Sequence, residues 1–262
     1  MNPTALRKAL NSASEAAREV GELLRKHRLR KKRINVTAAH DLKLALDVQS
    51  QRIITRYLAI RHPEIPVLGE EESDPEHETA AYRWVVDPID GTVNFASGIP
   101  HSCVSIALEA KSPRGNYESV LGVIYDPFVD ELWTAYRGGP ARRNGRKISP
   151  SNHTELAQSM VSLGFAQSEL SLATSVQNFS VLTPRVRKLR IMGSAALALA
   201  YVADGRFDAY IEAGLRRWDI AAGRLIIECS GGAVECTPLA GPHAFAVRCH
   251  NGRLGPELAR VL

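Results

Sequence analysis

Residues 84–95 read Trp84-Val85-Val86-Asp87-Pro88-Ile89-Asp90-Gly91-Thr92-Val93-Asn94-Phe95, and this segment constrains the chain most. An apolar run suited to a buried strand ends in Asp87. Pro88 predicts a turn there, and Asp90 follows three residues after the first aspartate. Gly91 allows close backbone approach, and Asp90-Gly91-Thr92 predicts the opening of a helix whose free N–H groups suit an anion. Like charges at a strand end repel unless a cation or base intervenes. Two carboxylates beside an anion cradle suit a divalent metal held against a phosphate ester.

The rest of the chain is ordinary for a water-soluble domain. Its 262 residues, 45% hydrophobic and 23% charged, are enough to bury a sizeable core. No apolar run approaches the roughly 20 residues that span a bilayer. Leu6, Leu10, Ala13, Ala17, Val20 and Leu24 recur at helical spacing with charges between them, which reads as a first helix and not as a signal peptide. Cys103, Cys229, Cys236 and Cys249 show no C-x-x-C spacing. They read as reduced core thiols, which favours the cytoplasm. The net charge of +5 comes largely from residues 25–33, Arg-Lys-His-Arg-Leu-Arg-Lys-Lys-Arg. A solvated helix end explains this segment best. Steering of a phosphorylated substrate ranks second, and nucleic acid third, because no aromatic residues interleave for base stacking.

Periodicity predicts helices over about 2–27 and 47–61, with a loop or loose hairpin at 34–46 between them. Strands follow at 67–68, 84–86, 103–108, 120–125 and 132–136, with turns at Gly138-Gly139 and Asn144-Gly145. From about residue 150 strands and helices alternate. The chain therefore divides into an α+β half, 1–149, carrying the Asp87/Asp90 segment, and an α/β half, 150–262. That boundary marks a change of architecture and not a flexible joint.

Other acidic residues can join the pair. Glu70 and Glu71 follow the short strand that closes on Gly69. Asp219 stands in Trp218-Asp219-Ile220-Ala221-Ala222-Gly223, where a helix should begin, and Asp47 stands at the start of the second helix. From local context alone, Asp47 and Asp219 read equally as helix caps and Glu70 as a loop carboxylate. No G-x-S-x-G, Walker-type loop or activated cysteine is present, so serine, cysteine and P-loop chemistries are poor fits.

Four segments in order carry a resemblance. They are Gly69-Glu70-Glu71, Asp87-Pro88-Ile89-Asp90-Gly91-Thr92, Gly193-Ser194-Ala195-Ala196-Leu197 and Trp218-Asp219-Ile220-Ala221-Ala222-Gly223. In them the chain resembles, over essentially its whole length, the inositol monophosphatase family of metal-dependent, lithium-sensitive-type phosphomonoesterases. The resemblance implies the sugar-phosphatase fold shared with fructose-bisphosphatase, with alternating helix and sheet layers. It implies a first Mg²⁺ held by Glu70, Asp87 and the Ile89 carbonyl, and a second held by Asp87, Asp90 and Asp219. A third, weaker metal would share Glu70. An oxygen-only donor set agrees with Mg²⁺ or Mn²⁺ rather than zinc.

Further roles follow from the same resemblance. Glu70, Thr92 and Asp47 would orient the attacking water. Gly91 and Thr92 would hold phosphate oxygens, with Ala195, Glu212 and Asp219 lining the substrate. The implied reaction is hydrolysis of a small phosphate monoester, most directly myo-inositol monophosphate, without a covalent intermediate. The implied assembly is a homodimer. The alternatives are fructose-1,6-bisphosphate, adenosine 3′,5′-bisphosphate, NADP or histidinol phosphate as substrate, or a moonlighting RNA- or protein-binding member of the fold. Asn94-Phe95 favours the inositol phosphatases over the nucleotide and histidinol relatives. The chain departs from the pattern at Leu44, where members commonly carry threonine, and at 36–39, where they carry a lysine. The departures bear on the third metal more than on the first two.

Overall fold

The computed structural model describes residues 1–28, 34–38, 41–165 and 169–262. Asn2 caps the first helix, α1 (Pro3–His27), its side-chain oxygen accepting from the Ala5 amide at 2.9 Å. Arg25, Lys26 and His27 fall in the last turn of α1, where cations suit the helix dipole. The remainder of the basic segment, 29–33, lies outside the described residues. A hairpin follows, β1 (Ile34–Ala38) with β2 (Asp41–Leu44), and then α2 (Ala45–Arg61).

Next come β3 (Val67–Gly69), β4 (Tyr82–Asp90), the short α3 (Thr92–Ala96), β5 (Cys103–Lys111), β6 (Tyr117–Asp126), β7 (Glu131–Tyr136), β8 (Arg142–Arg143) and β9 (Arg146–Lys147). The second half supplies β10 (Met160–Leu163), α4 (Glu169–Leu182), β11 (Lys188–Arg190), α5 (Ala195–Ala203), β12 (Ala209–Arg216), α6 (Arg217–Ser230), β13 (Ala233–Pro238), β14 (Ala244–His250) and α7 (Gly255–Val261).

Strands β3 to β9 form a seven-stranded sheet in chain order, antiparallel except for the β3–β4 pair. The second sheet has five strands in the order β11-β10-β12-β14-β13, parallel around β10 and antiparallel around β14. Helices α1 and α2 pack on one face of the first sheet, and α5 and α6 lie between the two sheets. Helix α4 covers the far side of the second. The order of layers is therefore helix, sheet, helix, sheet, helix. The central cluster draws on both halves, with Leu68, Val85 and Trp133 from the first packed with Leu199, Ile226 and Val247 from the second. Helix α5 is apolar on all sides because it packs against α6 as well as between the two sheets. Among the described residues no helix is long and apolar enough to cross a membrane.

Two local expectations need correction. No turn begins at Pro88: β4 runs through it to Asp90. Nor is either Asp47 or Asp219 a helix cap: α2 begins at Ala45, so Asp47 is its third residue. Helix α6 begins at Arg217, Arg216 takes the cap position, and Asp219 is the third helical residue.

Candidate metal and phosphate site

The site begins in β4. Trp84, Val86 and Ile89 enter one core cluster and Val85 the other, so both faces of the strand are buried. Strict alternation would send residues three apart to opposite faces. Against β5, however, Asp87 pairs with Ser105 and Asp90 with Cys103, so β4 holds one extra residue between them. This bulge brings both carboxylates to one side, and Pro88, lacking an N–H, suits the interrupted ladder. Carboxylate oxygens of Asp87, Asp90 and Asp219 all lie within 4.8 Å of one another.

Each aspartate is fixed by its own donors. Asp87 Oδ1 accepts from the Ile89 amide at 3.0 Å. Asp90 sits on the first turn of α5, where the Ala195 amide donates to Oδ1 at 3.2 Å and the Ala196 amide to Oδ2 at 2.8 Å. The hydroxyl of Ser194, which caps α5, and the Cys103 thiol also donate to Asp90 Oδ2. Asp219 Oδ2 accepts from the Arg216 amide at 2.7 Å, half of a capping box.

Burial pushes the Asp87 carboxyl well above its usual range, and the neighbouring Glu70, Asp90, Asp219 and Asp47 carboxylates push it further. Asp219 is raised in the same way, by burial and then by Asp90. Asp90 is raised by burial against the opposing pull of its four donors. A buried set of oxygen donors that repel one another fits a hard divalent cation.

The remaining predicted residues gather round this triad. The Glu70 amide donates to the Val86 carbonyl at 3.1 Å, which puts Glu70 beside β4. The Thr92 hydroxyl lies 3.2 Å from Asp47 Oδ1 and 2.9 Å from the Ile89 carbonyl, uniting three of the assigned residues. Gly91 has φ +88°, and a Cβ there would stand 2.9 Å from the His101 carbonyl. Position 91 therefore requires glycine both for conformation and for space. Ala195 is present, but its amide is committed to Asp90. Glu212, on β12, is pushed up to about 7 by burial, with Asp90 adding to the rise and a hydrogen bond from the Tyr210 hydroxyl opposing it. The side chains at 36–39 and 44 lie outside the described residues.

Sequence reasoning missed several supports. Asn94 reaches from α3 to the carbonyls of His101 (3.0 Å), Met192 (2.8 Å) and Gly193 (3.3 Å), tying the Gly91 loop to the loop that precedes α5. Gln51 of α2, fully buried, accepts from the Glu71 amide at 2.9 Å and donates to the Glu72 carbonyl. It thereby fixes the turn that presents Glu70. A buried glutamine inside the helical pattern was the available signal.

This fold and site define a class of layered phosphatases whose clustered carboxylates serve a metal. The model of the inositol monophosphatase family matches residues 5–255, and the chain belongs to that family. It is 39% identical over 229 residues to Nus factor SuhB of Xylella fastidiosa, covering 86% of this chain and 81% of that one. It is 36% identical to an inositol monophosphatase of Dictyostelium discoideum, covering 97% and 94% of the two chains. The crystal structure of the extragenic suppressor protein suhB from Bartonella henselae superposes with a TM-score of 0.88 at 32% identity, covering 97% of this chain and 98% of that one.

Proposed function

We propose that this protein is a Mg²⁺-dependent phosphatase that hydrolyses a small phosphate monoester, most directly a myo-inositol monophosphate. The observation that carries the reading is the triad of Asp87, Asp90 and Asp219, with oxygens mutually within 4.8 Å at the foot of the Gly91 turn. Asp87 would bridge two cations, with Glu70 and the Ile89 carbonyl completing one set and Asp90 and Asp219 the other. Bound cations would neutralise phosphate oxygens and make a nearby water a better nucleophile. The chain's own groups do the rest. The Gly91 and Thr92 amides receive phosphate oxygens, and Thr92, held by Asp47, orients the attacking water together with Glu70. Glu212 accepts a hydrogen bond from a substrate hydroxyl.

The name Nus factor, carried by several relatives, favours a second reading, in which the fold also serves to bind a partner. One panel separates the two. Inositol 1-phosphate, fructose-1,6-bisphosphate, adenosine 3′,5′-bisphosphate, NADP and histidinol phosphate are assayed with and without Mg²⁺. The proposal expects Mg²⁺-dependent release of phosphate, fastest from the inositol ester. Release fastest from a nucleotide would reassign the substrate, and no release from any ester would favour the binding role.

A further inference from the structure

The sequence of α6 supplies Asp219, but what fixes α6 against β4 lies on β5. Residues 103, 105, 107 and 109 share one face of that strand. Cys103 touches Asp90, and Ala107 enters the central cluster. The Ser105 hydroxyl donates to the Trp218 carbonyl at 3.3 Å. Glu109, a fully buried carboxylate, accepts from Arg217 Nε at 2.7 Å through Oε1 and from Arg83 Nε at 2.9 Å through Oε2. Arg217 also donates to the Tyr117 carbonyl at 2.6 Å. One turn further along, the Ser119 hydroxyl of β6 donates to the Ala221 carbonyl at 2.8 Å.

The first two residues of α6 are therefore held by the same strand whose register with β4 sets Asp87 and Asp90. A buried arginine–carboxylate clamp costs desolvation and is a weak source of net stability, but its two-point geometry fixes orientation. Asp219 is two residues beyond Arg217, so a shift at Arg217 moves it relative to the other two carboxylates.

We propose that Glu109, acting through Arg217, is a positioning residue that sets the cation-binding geometry of Asp219. The inference rests on the reading of Asp87, Asp90 and Asp219 as a cation site. Removal of a group that hydrogen-bonds a metal ligand directly weakens affinity about 10–100-fold, and Arg217 acts one step further out, through the backbone of α6, so the lower end of that range applies.

The test is calorimetric titration of Mg²⁺ into the folded, metal-free protein, alongside melting temperature and turnover. Arg217→Met keeps Glu109 paired with Arg83 and retains an aliphatic stem in place of the arginine's, without its guanidinium. It should raise the Mg²⁺ dissociation constant about tenfold, with turnover at saturating Mg²⁺ close to wild type. Ser105→Ala removes only the hydroxyl on Trp218 and should raise the constant about threefold, the scale of one neutral hydrogen bond. Should Arg217→Met fail to fold, Arg217→Lys, which keeps the charge beside Glu109 but not the two-point geometry, decides the question and should also raise the constant. Asp219→Asn is the reference. If it binds Mg²⁺ like the wild type, the cation-site reading itself fails. If it loses Mg²⁺ while the folded support variants keep wild-type affinity and only melt lower, the clamp is merely structural and the proposal is overturned.

Discussion

At the residue scale, the proposed function gives one carboxylate outside the triad, Glu212, a testable part in substrate choice. Glu212 carries a raised carboxyl because it is buried and faces Asp90, while the Tyr210 hydroxyl holds it in part in the ionised form. Only the ionised carboxylate is purely an acceptor for a polyol hydroxyl. With a folded value of about 7, that form dominates above pH 7 and is lost as pH falls through it. Glu212→Gln should therefore lower kcat/KM for inositol 1-phosphate about tenfold or more, since a charge-assisted hydrogen bond is worth about 1.5–3 kcal/mol. The wild type should lose activity on that substrate as pH falls below about 7, and Glu212→Gln should remove that decline. p-Nitrophenyl phosphate offers no such hydroxyl and should be spared. Equal loss on both substrates would mean that Glu212 serves the cations or the fold. Asp87 and Asp90 were legible in the sequence because two carboxylates close an apolar strand beside Gly91; Asp219 and Glu212 were singled out only by the family resemblance, since from local context Asp219 reads equally as a helix cap. Ser194 and Gln51 were not legible. A helix cap has an ordinary local explanation, and the place of Gln51 in the apolar pattern of α2 was only a hint; the tertiary contacts with Asp90 and Glu71 give the two residues their meaning.

At the scale of elements, the hydrophobic pattern predicted most strands and helices to within a few residues, because burial on one or both faces leaves a period in the sequence. The errors fell where tertiary structure overrides local signals. Pro88 reads as a turn until the bulge with β5 absorbs it. Nothing local marks the buried pairing of Arg217 with Glu109, which only the packing of α6 on β5 creates. The approach of α6 to the first sheet is equally invisible, because it depends on an absent side chain. A Cβ at Gly122 of β6 would stand 2.7 Å from the Ala222 carbonyl. Gly122→Ala should push α6 outward and destabilise the fold by about 1–3 kcal/mol, as overpacking does. It should also weaken Mg²⁺ activation, since Asp219 rides on that helix. Chemical denaturation and a Mg²⁺ activation curve on one preparation check both effects. An unchanged melting curve would mean that the contact relaxes freely.

At the scale of the molecule, the buried acids reverse the usual response of stability to pH. Asp87 and Asp219 are raised well above the ordinary carboxylate range, Asp126 to about 6 and Glu212 to about 7. Between the unfolded values near 4 and these folded values, the native state binds more protons than the unfolded state, so stability falls as pH rises. Without metal, the melting temperature should therefore decline from about pH 5 to 7.5. Saturating Mg²⁺ should abolish most of that decline, because a ligand that binds only the native state stabilises it by mass action. A metal-free melting temperature that rises across this window would show that other groups govern stability. The central claim, that Asp87, Asp90 and Asp219 jointly hold a catalytic cation, is tested most directly by Mg²⁺ binding and turnover in Asp90→Asn. With its amide oxygen at the Oδ2 position, the asparagine keeps the shape and the hydrogen bonds from Ala196 and Ser194, while it loses the one from Ala195 and one charge. The expected result is a folded protein with strongly weakened Mg²⁺ binding and a kcat at least ~10²-fold lower on inositol 1-phosphate, the scale of other electrostatic catalytic groups. Wild-type Mg²⁺ affinity together with wild-type turnover in that variant would contradict it.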